Sequence, residues 1–329
     1  MVQRILQPGE IEELDHTAFP RVLLPDTSSL FLDRANRIRQ LAQDNPIADY
    51  LNFVADLVQA QHHAVQGLEV SGPDAAAIEQ AQRYSSPMMP AADHIDPVWL
   101  KVLDDMLARL SGEDGLPESL RPLVTELQAT GTDERNAIAK RLLTGEAAAR
   151  DVGVAPFVMA ALQVMFASRA SRVNLNDIPY TDPATICPVC ASEPVSSIIR
   201  IGGKAAEHRY LHCACCATEW HMVRVKCSHC ESTAGIRYQG MAAQGDADNG
   251  PQDGIKDQGK GQTVMAETCD KCGTYRKVID QQKDPMAEPL ADDLASLMLD
   301  LLMSETEFQR VTANPLLYVV VAEPRAEES

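Results

Sequence analysis

Positive charge is what this chain is short of. Its 329 residues carry 29 Lys+Arg against 47 Asp+Glu, a formal net charge of −18. The deficit is not local. Residues 1–180 hold 15 basic and 25 acidic side chains, residues 181–280 hold 11 and 12, and residues 281–329 hold 3 and 10. No region offers the basic face that phosphate neutralisation requires, so nucleic acid is excluded as a partner. Aromatic residues make up only 5%, and the core must be built from Leu, Val, Ile, Ala and Met. Long apolar runs are missing as well. The most apolar stretch, residues 156–167, is about half of the ~20 residues that a membrane span needs, which argues against membrane insertion. The first nine residues lack the apolar core of a signal peptide, so a soluble cytoplasmic protein is expected. Catalytic signatures are absent too: there is no GxGxxG or Walker A loop, no HExxH and no G-x-S-x-G elbow. The chain is therefore not expected to be an enzyme.

What is present divides the chain in two. From Ser28 the pattern is helical, with Ser28 or Ser29 placed to cap a segment through Leu30, Arg34, Ile38 and Leu41. Asn45-Pro46 opens a second helix carrying Leu51, Val54, Leu57 and Val58 at three-and-four spacing. Asp96-Pro97 starts a third, with Val98, Val102, Met106 and Leu110 on one stripe. Segments 117–128, 133–144 and 156–170 read as helical. After Tyr180 short β-favouring runs take over: 195–201, 209–212, 219–225, 235–238, 263–267 and 274–279. Residues 241–262 hold five Gly, four Asp and four Gln and read as a disordered insertion. Leu290, Leu294, Leu297, Met298, Leu301 and Leu302 then mark one final amphipathic helix. The expected fold class is α+β: an all-α domain over 1–180, two tandem four-cysteine β-ribbons of the rubredoxin or zinc-ribbon type over 181–223 and 224–284, and a C-terminal helix and tail over 285–329.

All nine cysteines lie between 187 and 272, and eight form four CxxC pairs: Cys187/Cys190, Cys213/Cys216, Cys227/Cys230 and Cys269/Cys272. Thiols of a cytoplasmic protein are kept reduced, so a disulfide framework is not indicated. A CxxC on a tight turn aims two sulfurs at one centre, and two such turns complete a tetrahedral site for zinc or iron. A hairpin-length spacer of 22 residues separates Cys190 from Cys213. The 38 residues between Cys230 and Cys269 shrink to 16 once the insertion is removed. Sequential pairing follows, one metal ion for each ribbon. A cross-brace joining the first pair to the third and the second to the fourth is the competing arrangement. With eight thiolates available, His208, His212, His221 and His229 are expected to be strand or supporting residues, and His62-His63 a solvated helix face. Cys215 is a spare thiol, read as a small buried side chain. None of the pairs opens a helical pattern, so thioredoxin-type exchange chemistry is not expected.

These residues resemble the FdhE family, the accessory proteins of respiratory formate dehydrogenases. The likeness is sharpest in Cys187-Pro188-Val189-Cys190, in Arg209-Tyr210-Leu211-His212-Cys213 through Cys216-Ala217-Thr218-Glu219-Trp220-His221, and in Val223-Arg224-Val225-Lys226-Cys227 with Cys230. It continues through Glu267, Cys269, Cys272-Gly273-Thr274-Tyr275, Lys283-Asp284-Pro285 and Ala291-Asp292-Asp293-Leu294-Ala295, and into Ala48-Asp49-Tyr50-Leu51. The resemblance implies a cytoplasmic maturation factor that binds the catalytic subunit of a molybdenum formate dehydrogenase. It also implies two rubredoxin-like sites, with iron favoured over zinc. Cys215 and the 241–262 tract depart from the family pattern. A rubredoxin-type electron carrier is the alternative, but such a carrier needs no helical domain of about 180 residues in front of it.

Overall fold

Asp26 opens the helical part. Its carboxylate accepts from the amide and the hydroxyl of Ser28 at 3.0 and 2.6 Å, and its carbonyl accepts from the Leu30 amide. Ser29 stands at the cap position but makes no side-chain cap bond, so the expected serine cap is replaced by an aspartate turn. The computed structural model describes residues 19–112, 116–241 and 262–317. The tract 242–261 lies outside them, and the expectation of a disordered insertion falls there.

Among the described residues seven α-helices precede the cysteines: α1 Leu30–Leu41, α2 Ala48–Val65, α3 Ala75–Tyr84, α4 Val98–Gly112, α5 Arg121–Ala129, α6 Thr132–Thr144 and α7 Ala155–Ala170. Asp96 starts α4 as expected, accepting from the Val98 amide at 2.9 Å. Helix α7 is apolar all round, and 14 of its 16 residues are buried, which makes it the axis of the domain. Helices α2, α4 and α6 pack around it. The apolar run at 156–167 is thus a core helix. Among the described residues no helix is long and apolar enough to cross a membrane.

The β part is one sheet. Strands β1 Val22–Leu23, β2 Pro194–Ile199, β3 Arg209–Cys213, β4 Glu219–His221, β5 Ile236–Gln239, β6 Val264–Cys269 and β7 Thr274–Asp280 lie in the order β1-β4-β3-β2-β7-β6-β5. The short strand β8 Gln309–Arg310 pairs with β7. Within each ribbon the pairing is antiparallel, with Ser197 opposite Leu211 and Thr268 opposite Tyr275. The ribbons meet through a parallel pairing of β2 with β7, Ser197 opposite Val278 and Ile199 opposite Asp280. They are therefore halves of one sheet. Arg209 on β3 and Glu267 on β6 form a buried ion pair across the two halves, and Tyr238 on β5 adds a hydrogen bond to Glu267 at 3.0 Å.

The C-terminal helix is broken in two, α8 Pro289–Ala295 and α9 Leu297–Ser304. The cause is Lys277. Its ammonium, buried under the break, takes the carbonyls of Asp293 and Ser296 at 2.8 and 3.0 Å and pairs with Asp300 at 2.6 Å. Those carbonyls are unavailable to a continuous helix, and the Ser296 hydroxyl bonds back to Asp292 at 2.7 Å. Helix α8 faces the core through Leu290 and Leu294, whereas Met298, Leu301 and Leu302 of α9 are exposed.

Candidate metal centres

Each CxxC sits on the same turn. The residue after the second cysteine has positive φ in all four: Ala191 (65°), Ala217 (57°), Glu231 (60°) and Gly273 (67°). A serine or threonine follows each of them: Ser192, Thr218, Ser232 and Thr274. The amides of Cys187, Cys213 and Cys227 donate to the carbonyls of Ser192, Thr218 and Ser232, which closes the turn. The hydroxyls of Thr218 and Thr274 lie 3.2 and 3.0 Å from the sulfurs of Cys216 and Cys272. Turn amides point inward as well, from Cys190 to Cys187 Sγ at 3.5 Å and from Cys216 to Cys213 Sγ at 3.4 Å. The fourfold pattern C-x-x-C-z-(S/T) is readable in the sequence, but the cysteine spacing alone does not carry it.

The structure pairs the turns sequentially. Cys187, Cys190, Cys213 and Cys216 form one group and Cys227, Cys230, Cys269 and Cys272 another, with the four sulfurs of each within 4.8 Å of one another. The cross-brace is not formed. Contact pairs measure 3.5 and 3.3 Å in the first cluster and 3.8 and 3.7 Å in the second. A tetrahedron with metal–sulfur bonds of about 2.3 Å has edges of about 3.8 Å. The second cluster's contact pairs match it, and the first cluster's are shorter by a few tenths of an ångström, so each set fits a single zinc or iron ion, the first with a slight expansion. The thiols themselves call for a cation. Burial pushes Cys187 and Cys213 well above an ordinary thiol. Burial opposes ionisation of Cys190 too, yet bonds from Cys187, Cys213, Cys215 and Cys216 hold it well below the usual range. Ionisation is thus uneven among Cys187, Cys190 and Cys213, and a bound metal would favour the thiolate form of each.

Cys215 is buried beside the first cluster but is not among its four sulfurs; its amide donates to Cys213 Sγ at 3.4 Å. Hydrogen bonding to Cys190 and burial both push this thiol up. The histidines take structural places. His212 bonds Glu219, His208 and His221 ring-pack against Phe19, and the His229 amide donates to Cys227 Sγ at 3.4 Å. His62 and His63 are half-buried and face Gln66 and Gln59 of their own helix region.

The two clusters differ in setting. The first belongs to the main core, which also takes in α1, α2, α4 and α7. The segment after α3 adds three backbone bonds to its first turn, from Met88, Met89 and Ala91 to Pro188, Val189 and Cys190, and Gln163 of α7 donates to Ala214 at 2.8 Å. In the second cluster Cys230 is exposed and Cys272 half-buried.

Three family models match in succession: "FdhE, N-terminal" over residues 19–182, "FdhE, central domain" over 186–224 and "FdhE, C-terminal domain" over 225–317. Among curated proteins, "Protein FdhE homolog" of Serratia proteamaculans is 35% identical over 320 residues, covering 95% of this chain and 96% of that one. The protein of the same name from Cronobacter sakazakii is 36% identical over 322 residues, covering 96% and 97%. The crystal structure of the FdhE protein from Pseudomonas aeruginosa matches with a TM-score of 0.76 at 30% identity, over 91% of this chain and 99% of that one.

Proposed function

The chain belongs to the FdhE family, and from that membership we propose that it is a non-catalytic accessory protein for the maturation of respiratory molybdenum formate dehydrogenase. It acts in the cytoplasm by binding the catalytic subunit. The observation that carries the reading is the joining of a helical domain to two preassembled four-cysteine clusters in one scaffold along nearly the full length shared with these relatives. Cys187, Cys190, Cys213 and Cys216 hold one metal ion, and Cys227, Cys230, Cys269 and Cys272 hold the second. Iron is favoured and zinc is the alternative. The metals rigidify the turns, so less order has to be imposed when a partner docks.

A cavity of about 410 Å³ where α1, β3–β4 and the segment before α8 meet supports a composite docking face. Leu24 and Leu30 line it from the helical side, His212 and Glu219 from the sheet, and Pro285 and Met286 from the C-terminal segment. The test is capture of the formate dehydrogenase catalytic subunit by wild type and by variants of each cysteine pair, with and without oxygen. Capture by wild type and loss in the variants is expected. Failure of the wild type to capture the subunit would overturn the partner, and equal capture by every variant would overturn the part played by the clusters.

A further inference from the structure

The two clusters are not equivalent, and we infer that the second is an exchangeable metal site entered through Cys230, while the first is locked. The inference rests on reading both clusters as metal sites and is independent of the partner. In the first cluster no cysteine exceeds 1% exposure. Its turns are held from outside by the 88–91 backbone and by Gln163, so a competing ligand reaches the sulfurs only after the helical core opens. Opening on that scale draws on global stability.

The second cluster has a packed side and an open side. Cys227 and Cys269 are buried at 4% and 2%, and Ser228 behind them accepts from the buried Arg276 side chain at 3.0 Å. Cys230 faces solvent, Cys272 is half-buried, and the linker leading in leaves Val223 and Val225 exposed at 47% and 66%. Besides Ser228, the turn carrying Cys230 is tied down through Glu231, which accepts from the Ala184 amide at 3.1 Å and pairs with Lys226. The β5–β6 ladder has the cysteine at one end, with Ile236 opposite Cys269 there and Gln239 opposite Ala266 at the other.

Cys230 is therefore the thiolate that an incoming donor would displace first, and on loading it would be the last sulfur to bind. The exchange would be a ligand substitution with no change of oxidation state. This assigns the second cluster to exchange and the first to holding the fold.

The experiment uses the full chain loaded with two equivalents of Zn²⁺ and mixed with excess 4-(2-pyridylazo)resorcinol. Two phases of one equivalent each are expected, with rates separated by about tenfold or more because the slow phase waits on opening of the core. Brief treatment of the loaded wild type with N-ethylmaleimide, read by peptide mass spectrometry, should label Cys230 and Cys272 while Cys187, Cys190, Cys213 and Cys216 stay protected. That measurement needs no variant and so does not depend on a cysteine substitution folding. Release of both ions in a single phase, or labelling of Cys187 or Cys213 as early as Cys230, would overturn the assignment. No formate dehydrogenase is present, so the result stands whatever the pull-down shows.

Discussion

His212 is hydrogen-bonded to Glu219 at 2.8 Å through Nδ1, and its Nε2 lies 3.4 Å from the Arg34 guanidinium. A carboxylate accepts, so Nδ1 is the ring nitrogen that donates to Glu219. The contact is the centre of a chain of five side chains. Arg200 pairs with Glu219 on one side, and Arg34 pairs with Glu288 at 2.8 Å on the other. It joins the first ribbon to α1 and to the start of α8, and it runs along the wall of the composite cavity.

Glu219 should give the protein an acid-sensitive step. Burial raises its pKa, but Arg200 and His212 outweigh burial and hold it at about 2. A depressed carboxylate contributes stability that is full above its unfolded value and is lost as pH falls toward the folded one. The expected contribution at pH 7 is about 3 kcal/mol. Glu219→Gln should be less stable than wild type by about that amount in urea unfolding at pH 7. The gap should narrow steadily between pH 4.5 and pH 2.5. A gap independent of pH would contradict this account.

Lys277 should be among the most sensitive positions. Its pKa is lowered by burial, against the pull of Asp293 and Asp300, and its three-way bonding fixes the α8–α9 break. Lys277→Ala removes one of the two cations that neutralise Asp293 and Asp300, Arg310 being the other, and is expected to cost about 2–3 kcal/mol. Thermal unfolding checks this, and a loss under 1 kcal/mol would show that the break is held by something else.

The clusters should fail unequally. Cys269→Ala with Cys272→Ala should remove one metal equivalent and leave the helical signal in circular dichroism unchanged. Cys187→Ala with Cys190→Ala should also remove one equivalent but lower the melting temperature of the whole helical domain, because those sulfurs lie in its core. Equal effects of the two double substitutions on the helical signal would refute the difference.

Ala191 should accept glycine with a gain. At φ 65° its Cβ is strained, whereas Gly273 fills the same place in the fourth turn without that strain. Ala191→Gly should stabilise the protein by about 1 kcal/mol, an estimate drawn from the left-handed penalty. A rise of melting temperature at unchanged metal content is the expected outcome.

The helices with an apolar stripe were legible in the sequence, as was the pairing of the cysteine turns. Val102, Met106 and Leu110 line α4 as their spacing requires, and all three are buried. Helix α3 was missed because Ala81 is its one buried residue, which leaves no stripe to detect. The strand expected to run to Val225 stops at His221, since β-propensity in the linker has no partner strand to meet. Nor could local pattern show that β2 lies beside β7. That parallel pairing joins residues about eighty apart and depends on packing that no window contains. The break at Ser296 was hidden for a similar reason, because the lysine that causes it comes from another element.

The arginines of α1 set a schedule for synthesis. Arg34 and Arg37 are buried at 1% and 5%, and their partners Glu288, Asp284 and Asp292 stand about 250 residues later in the chain. At translation rates of roughly 5–20 residues per second, α1 waits on the order of ten to fifty seconds for the carboxylates that neutralise it. Until then the two guanidinium groups of α1 lack the carboxylates that pair with them in the complete fold. A nascent chain that stalls before residue 284 therefore carries both charges without those partners, which sets it apart from the finished protein.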